Sequence, residues 1–483
     1  MIAVIICRTT GNFTSGSNFL TTNIMNRRTF VQRTLRTAGA LLLPDLLLTA
    51  CNGNNLCEVE NWQGKAVVIG AGAAGMYAAQ LLHKAGADVT VLEASGAYGG
   101  RIRPLNGFSD FIIELGAEEV HGNKTQWYKM VQNAGSEFTS TNTTDLLALG
   151  SQLLTEDEAA NDPDVITAFN FVDSLGNYTG PDKSIAQHIA ELGIPTRVHH
   201  LLNALIGNEF GSDNTRLGAK SIANAENLWT AGNDSYALKN DTLLSVLEYH
   251  CANILGKIIL NQPVQSVTYT HNSVTVTTAS GNVYTADKAI ITIPLAVLKT
   301  GAVAFSPALP DAKTQAFEGI GMDAGMKIIL RFNNRFWPED TGSIYGNGFI
   351  PEFWSTGYGR SAQNNLLTAF ICGPNAEYLS SLGDNAIQTA LAELDALFGQ
   401  GAASGAFDAG FIMDWFKQPY IRGAYSYPSP NSDVHRQALA QPVANTLFFA
   451  GEATHAQGHQ GTVHGAIETA QRAVNELLCS LKE

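Results

Sequence analysis

Three histidines, His455, His459 and His464, fall within the stretch THAQGHQGTVHGA. Neutral imidazoles four and five residues apart are common transition-metal ligands. Glu452 is the acidic neighbour that would complete a ligand set. A second feature is Lys327, alone among Met326, Ile328, Ile329 and Leu330. A lysine buried in such a strand is costly unless it has a partner or a task. The bland alternative is an edge lysine whose head reaches solvent. The third feature is Gly70, Gly72 and Gly75, a GxGxxG that could cradle a pyrophosphate.

The elements needed to position those glycines are present. Ala66–Ile69 is a continuous apolar run, as expected of a buried parallel strand. Helical apolar spacing follows over Ala73–His83, and a second strand over Asp88–Leu92 ends at Glu93. Gly70 makes the tight turn, Gly72 admits a pyrophosphate to the backbone, and Gly75 lets the helix pack on the strand. The N–H groups of Ala73 and Ala74 lie at the positive end of the helix dipole. Glu93, with Ala94 beside it, is placed to accept ribose hydroxyls. The pattern is that of a dinucleotide-binding unit.

GAYGGRIRP continues with Gly99, Gly100 and Arg101. A second glycine pair closed by an arginine resembles the flavin-binding extension of the flavin-dependent amine oxidase family. There the arginine meets the FAD pyrophosphate, a task suited to a guanidinium. Ser95 stands where that family usually has a further arginine. ELGAEEVHG (114–122) resembles the family's loop past the flavin ring, with Ala117 and Glu118 at the isoalloxazine. Val264 corresponds to the adenine-contact strand. DWFKQPYIRGAYSYPSP and TLFFAGEATHAQGHQGTVHGA complete the resemblance, most closely to the polyamine oxidase and lysine-specific histone demethylase branch.

The resemblance implies roles. Lys327 would hold a water at the flavin. Trp415 and Tyr425 would shape an aromatic slot for the amine, and His121 and Glu209 would stand at its mouth. Gly451 and Glu452 would meet the cofactor's ribityl–pyrophosphate region, and Thr462 and Val463 would open the last helix toward the flavin. Ala424 stands where monoamine oxidases attach the flavin through cysteine, so FAD is expected to be non-covalent. Thr462 replaces the second tyrosine of their cage. With Glu452 given to the cofactor, no metal is expected at the histidines. The implied reaction is amine oxidation with O2 as acceptor. The alternatives are an L-amino-acid oxidase or tryptophan monooxygenase-like enzyme, with Arg331, Arg360 or Arg422 for the carboxylate, and an FAD-bound scaffold with little turnover.

The implied fold is α/β. A Rossmann-like FAD-binding domain comes from residues 64–122, 235–300 and 440–483. A substrate domain takes a helical insertion at 123–234 and a mixed sheet at 301–439. The bulk properties agree: 483 residues, 45% hydrophobic and 15% charged, suit a folded chain with a sizeable core. A net charge of −14 without an internal basic cluster argues against nucleic acid. Six scattered cysteines do not read as a disulfide framework, and Cys251 and Cys372 read as core thiols. Residues 1–57 read as an export signal: Arg27-Arg28-Thr29-Phe30 resembles a twin-arginine motif, an apolar run covers Ala38–Leu48, and Leu48–Cys51 resembles a lipobox. Cys51 would then carry a lipid, the mature protein would be periplasmic or envelope-tethered, and Met25 is an alternative start.

Overall fold

A computed structural model describes residue 57 and residues 61–139, 143–360 and 365–482. The twin-arginine motif and Cys51 lie outside these residues.

A five-stranded parallel sheet organises the first half of the molecule. Its order is Leu447–Phe449, Lys288–Ile291, Lys65–Ile69, Asp88–Leu92 and Ile258–Ile259. Side chains of a strand point alternately to opposite faces. Ala66 and Val68 enter one core, with the helices Ala73–Lys84 and Val463–Cys479. Val67 and Ile69 enter another, under a sheet containing Val264–Thr270, Ser273–Thr278 and Val283–Ala286. Burial on both faces explains the unbroken apolar run.

The second half is a seven-stranded sheet in the order Phe407–Asp414, Gly325–Phe332, Leu366–Cys372, Glu352–Ser355, Thr341–Tyr345, Thr144–Leu149 and Gln152–Thr155. Its pairings are antiparallel except where Thr341–Tyr345 meets Thr144–Leu149. Lys327 therefore lies on an interior strand, hydrogen-bonded on both sides, and not on an edge.

Packing moves three sequence-derived boundaries. Residues 123–234 are not wholly a substrate-side helical insertion. The helix Gln126–Asn133 sets Trp127, Met130 and Val131 into the same core as the glycine-rich helix. That spacing gives one apolar stripe, buried against the last helix rather than the substrate sheet. Residues 144–155 of the segment are strands. Residues 304–319 likewise leave the seven-stranded half, through the strand Ala304–Ser306, which pairs with Val264–Thr270, and through Leu309, Ala316 and Phe317, which join the core that holds Val67 and Ile69.

The cysteine reading also needs correction. Cys57 and Cys479 form a disulfide across 422 residues, joining the N-terminal segment to the last turn of the final helix. No local spacing signals it, because only the fold brings the two ends together. Cys251 and Cys372 are buried free thiols. Cys479→Ser should lower unfolding free energy by about 2–4 kcal/mol, and dithiothreitol should bring the unmodified protein to the same denaturation midpoint. A variant as stable as its oxidised parent would show the link to be energetically idle.

Candidate active site

Both sheets open onto one cavity of about 890 Å³. Every residue that the sequence marks for the cofactor or for an amine lines it: the glycine-loop residues 70 and 72–75, Glu93, Ala94, Gly100, Arg101, Ala117, Glu118, His121, Glu209, Val264, Lys327, Trp415, Tyr425, Gly451, Glu452, Thr462 and Val463. His455, His459 and His464 do not line it; they stand behind the wall.

The dinucleotide end is built by close backbone approach. A Cβ on Gly75 would sit 1.9 Å from the Gly70 carbonyl, so only glycine lets this helix meet its strand. A Cβ at Gly72 would meet nothing nearer than the Gly100 Cα at 3.9 Å, which leaves the backbone open to a ligand. The helix that starts at Ala73 has no side-chain cap and no acidic residue in its first turn. Its free N–H groups thus face the cavity mouth as an anion site. Glu93 accepts from the Ala71 N–H at 2.8 Å and from the Ser95 hydroxyl at 2.7 Å. Ser95 thus braces Glu93 in the place of the family's arginine.

Glu452 joins this end to the reactive end. Its carboxylate accepts from Arg101 at 3.0 Å, the Ser426 hydroxyl at 2.6 Å and the Gly461 N–H at 2.9 Å. Burial alone would raise its pKa. Arg101, Ser426 and Arg436 outweigh burial and hold the carboxyl below its ordinary value. Its side chain is committed to these protein groups, so it organises the wall around a cofactor.

At the reactive end, the Lys327 ammonium is 2.8 Å from Glu118, donates to the Glu114 carbonyl at 3.1 Å, and lies 4.9 Å from the Trp354 ring centroid. The side chain is 4% exposed, which excludes the solvent-reaching alternative. Glu114 is buried and accepts from the Leu243 N–H. Burial pushes its carboxyl up to about 7. Trp415 donates from Nε1 to the Leu115 carbonyl at 3.0 Å, with its ring against Gly116. Tyr425 donates to the Glu209 carbonyl at 2.7 Å. Glu209 follows a π-helical turn, Asn203–Asn208, of a kind often found at functional sites. His121 is on a short strand paired with Ser235–Ala237, with Nδ1 2.9 Å from the Ser235 hydroxyl.

Sequence reasoning did not single out Trp354, Trp229 or Asp234, which also line the cavity. Each comes from an element with no local signature. Arg331 is bound to Asp408 and does not line the cavity, whereas Arg360 and Arg422 do. The metal argument also changes. Glu468, one helical turn past His464, lies 2.9 Å from His455 Nε2 and 2.7 Å from His459 Nδ1. Glu452 is therefore not the acid beside the histidines.

A parallel-sheet dinucleotide unit opening onto a mixed-sheet domain that carries a buried lysine and aromatics defines a two-domain flavoenzyme. Residues 73–151 and 182–478 match the family described as flavin containing amine oxidoreductase, and the chain belongs to that family. Its cofactor is FAD, and the open Gly72 backbone, uncapped helix and Arg101 fit it. Among the described residues no cysteine lines the cavity, in keeping with non-covalent binding. Polyamine oxidase 3 of Oryza sativa subsp. japonica is 30% identical over 460 residues, covering 88% of this chain and 92% of the relative. Lysine-specific histone demethylase 1B of Mus musculus is 26% identical over 467 residues, covering 89% and 55%. The chain spans about half the length of the demethylases it matches. Cyclohexylamine oxidase from Brevibacterium oxydans superposes with a TM-score of 0.74 at 21% identity, over 87% of this chain and all of that one. Putrescine oxidase bound to putrescine gives 0.73 at 18%, over 87% and 100%. At these identities the structures show a shared fold.

Glu114 generates a pH prediction. Its folded pKa of about 7 lies above its ordinary value of 4.5, so the folded state holds a proton that the unfolded state releases first. Stability from this group is fully present below pH 4.5 and is lost as pH rises to about 7. The loss is of the order of 3 kcal/mol. Glu114→Gln should flatten the decline in melting temperature across this window; an unchanged pH profile would refute the assignment.

Proposed function

We propose that the protein oxidises an oligoamine or diamine at a carbon next to nitrogen. When bound, FAD would supply the two-electron acceptor for a hydride from that carbon, the imine left behind would be hydrolysed by water to aldehyde and amine, and O2 would be the final oxidant, giving hydrogen peroxide. The chain's part is orientation and electrostatics. Lys327, held by Glu118 and the Glu114 carbonyl, offers a fixed donor where a water can be bound and aimed. Tyr425 and Trp415 bracket an aromatic slot whose faces attract cationic amines.

The observation that carries the amine reading is the charge of the wall. Glu119, Glu209 and Asp234 line the cavity, while Lys327 and Glu118 neutralise each other. Such a lining stabilises a distal ammonium and disfavours an anionic substrate. The polyamine oxidase relatives support the same reading. One observation favours a second: Arg360 lines the cavity, and its Nε is buried without a partner among the described residues, as a receptor for an amino-acid carboxylate would be.

We further propose that the protein works outside the cytoplasm, tethered through Cys51. The Cys57–Cys479 disulfide supports this, since such bonds persist in oxidising compartments.

The test is peroxide release, with flavin bleaching under anaerobiosis, across diamines, polyamines, monoamines and L-amino acids. Polyamines or diamines should lead, and turnover only of L-amino acids would transfer the assignment to the Arg360 reading. If no amine-bearing compound bleaches the flavin or yields peroxide, the amine-oxidase proposal fails. Lys327→Met should lower kcat by roughly 10²-fold or more, with the visible flavin spectrum retained.

A further inference from the structure

The histidines that open the sequence question are explained by neither the cofactor nor the reaction. Their hydrogen bonds define what they do. His455 Nδ1 accepts the backbone N–H groups of Gln457 and His459, each at 3.2 Å. His459 Nε2 accepts the Thr230 N–H at 3.2 Å. A nitrogen that accepts carries no proton, so the remaining nitrogens, His455 Nε2 and His459 Nδ1, are N–H donors. Both meet the same oxygen, Glu468 Oε2, at 2.9 and 2.7 Å. Burial would raise the Glu468 carboxyl, but these two donors hold it well below its ordinary value. A cation bound among the three would have to displace both protons from nitrogens whose opposite faces are already occupied.

The cluster spans two parts of the cavity wall. On one side His459 holds Thr230 and packs edge-on to Trp229, with ring centroids 5.2 Å apart; Trp229 lines the cavity just past the helix Ala219–Asn227. On the other side the His459 carbonyl accepts from the Thr462 hydroxyl at 2.7 Å. Thr462 in turn caps the final helix by accepting from the Gly465 N–H at 2.9 Å. A Cβ at Gly465 would fall 2.0 Å from the same carbonyl, so this approach leaves no slack. His464 completes the cluster edge-on, its ring centroid 4.6 Å from that of His459 and 5.4 Å from that of Trp229.

We infer that Glu468 is a positioning residue that clamps the substrate wall at Trp229 and Thr230 onto the start of the last helix, so that Trp229, Thr462 and Val463 face the bound flavin in one register. It acts through His459 and touches neither cofactor nor substrate. The inference rests on the FAD reading of the cavity but not on which amine is oxidised.

The geometry dictates an unusual substitution pattern. One oxygen does all the accepting, so an amide can replace the carboxylate and an alkyl group cannot. Glu468→Ala leaves two buried N–H donors unsatisfied and should weaken FAD binding to the apoprotein by about tenfold or more, change the visible circular dichroism of bound flavin, and raise KM more than it lowers kcat. Glu468→Gln keeps an acceptor for both donors and should bring all three readouts back to within about threefold of the parent. If Glu468→Ala does not fold, Glu468→Asp, with its oxygens retracted by one methylene, should give a soluble intermediate response. Three results would overturn the clamp: Ala and Gln variants equally impaired, which would make the charge the active quantity; an Ala variant with unchanged FAD affinity and circular dichroism; or one equivalent of zinc in the purified holoenzyme that disappears in the Ala variant. Because FAD affinity and dichroism are read without any amine, failure here is distinguishable from failure of the substrate assignment.

Discussion

A single buried carboxylate holds the cavity together. Glu452 accepts hydrogen bonds from Arg101 after the strand Asp88–Leu92, from Ser426 in the short strand Ser426–Tyr427 and from the Gly461 N–H before the last helix. Arg436, itself buried, donates to the same Ser426 hydroxyl. An isolated carboxylate at that depth would cost several kcal/mol, and it is tolerated only because its partners arrive together. Segments more than three hundred residues apart in sequence are therefore mutually dependent, and the wall facing the cofactor forms only when all of them are in place.

From that junction the two sheets divide the chemistry. The parallel sheet offers the open backbone of Gly72 and the uncapped start of its first helix, features suited to phosphates. The mixed sheet offers Lys327 from a strand bonded on both sides, so its ammonium is rigidly placed. Burial by itself does not make a lysine functional. Lys288 and Lys313 are buried as deeply, yet Lys288 donates to the Asn445 carbonyl and Lys313 to those of Leu439 and Gln441, pinning the approach to the Leu447–Phe449 strand. Lys327 differs because it lines the cavity and pairs with a carboxylate that also lines it.

Local patterns were readable where the structure uses local rules. The strand Lys65–Ile69, the helix from Ala73 and the strand Asp88–Leu92 lie within a residue or two of where periodicity and glycine spacing put them, and the final helix starts at Val463, where the family resemblance puts it. The helical character of residues 123–234 does not tell which core the helix Gln126–Asn133 joins, since an apolar stripe does not name its partner. The π-helical turn before Glu209 was invisible, because its extra residue per turn is imposed by packing.

Local rules along the chain fix the dinucleotide turn and single out Lys327 and many of the residues that meet in one cavity, because glycine sterics and the desolvation of a charge act within a few residues; that Lys327 is interior and not on an edge follows only from the folded sheet. Tertiary structure alone decided that Cys57 meets Cys479, that Glu452 serves as a junction and that Glu468, not Glu452, partners His455 and His459. It also turned Thr462 from a substituted cage position into the cap of the last helix. These outcomes depend on hydrogen-bond partners brought together by folding, and no spacing rule along the chain encodes which donor a buried oxygen will meet.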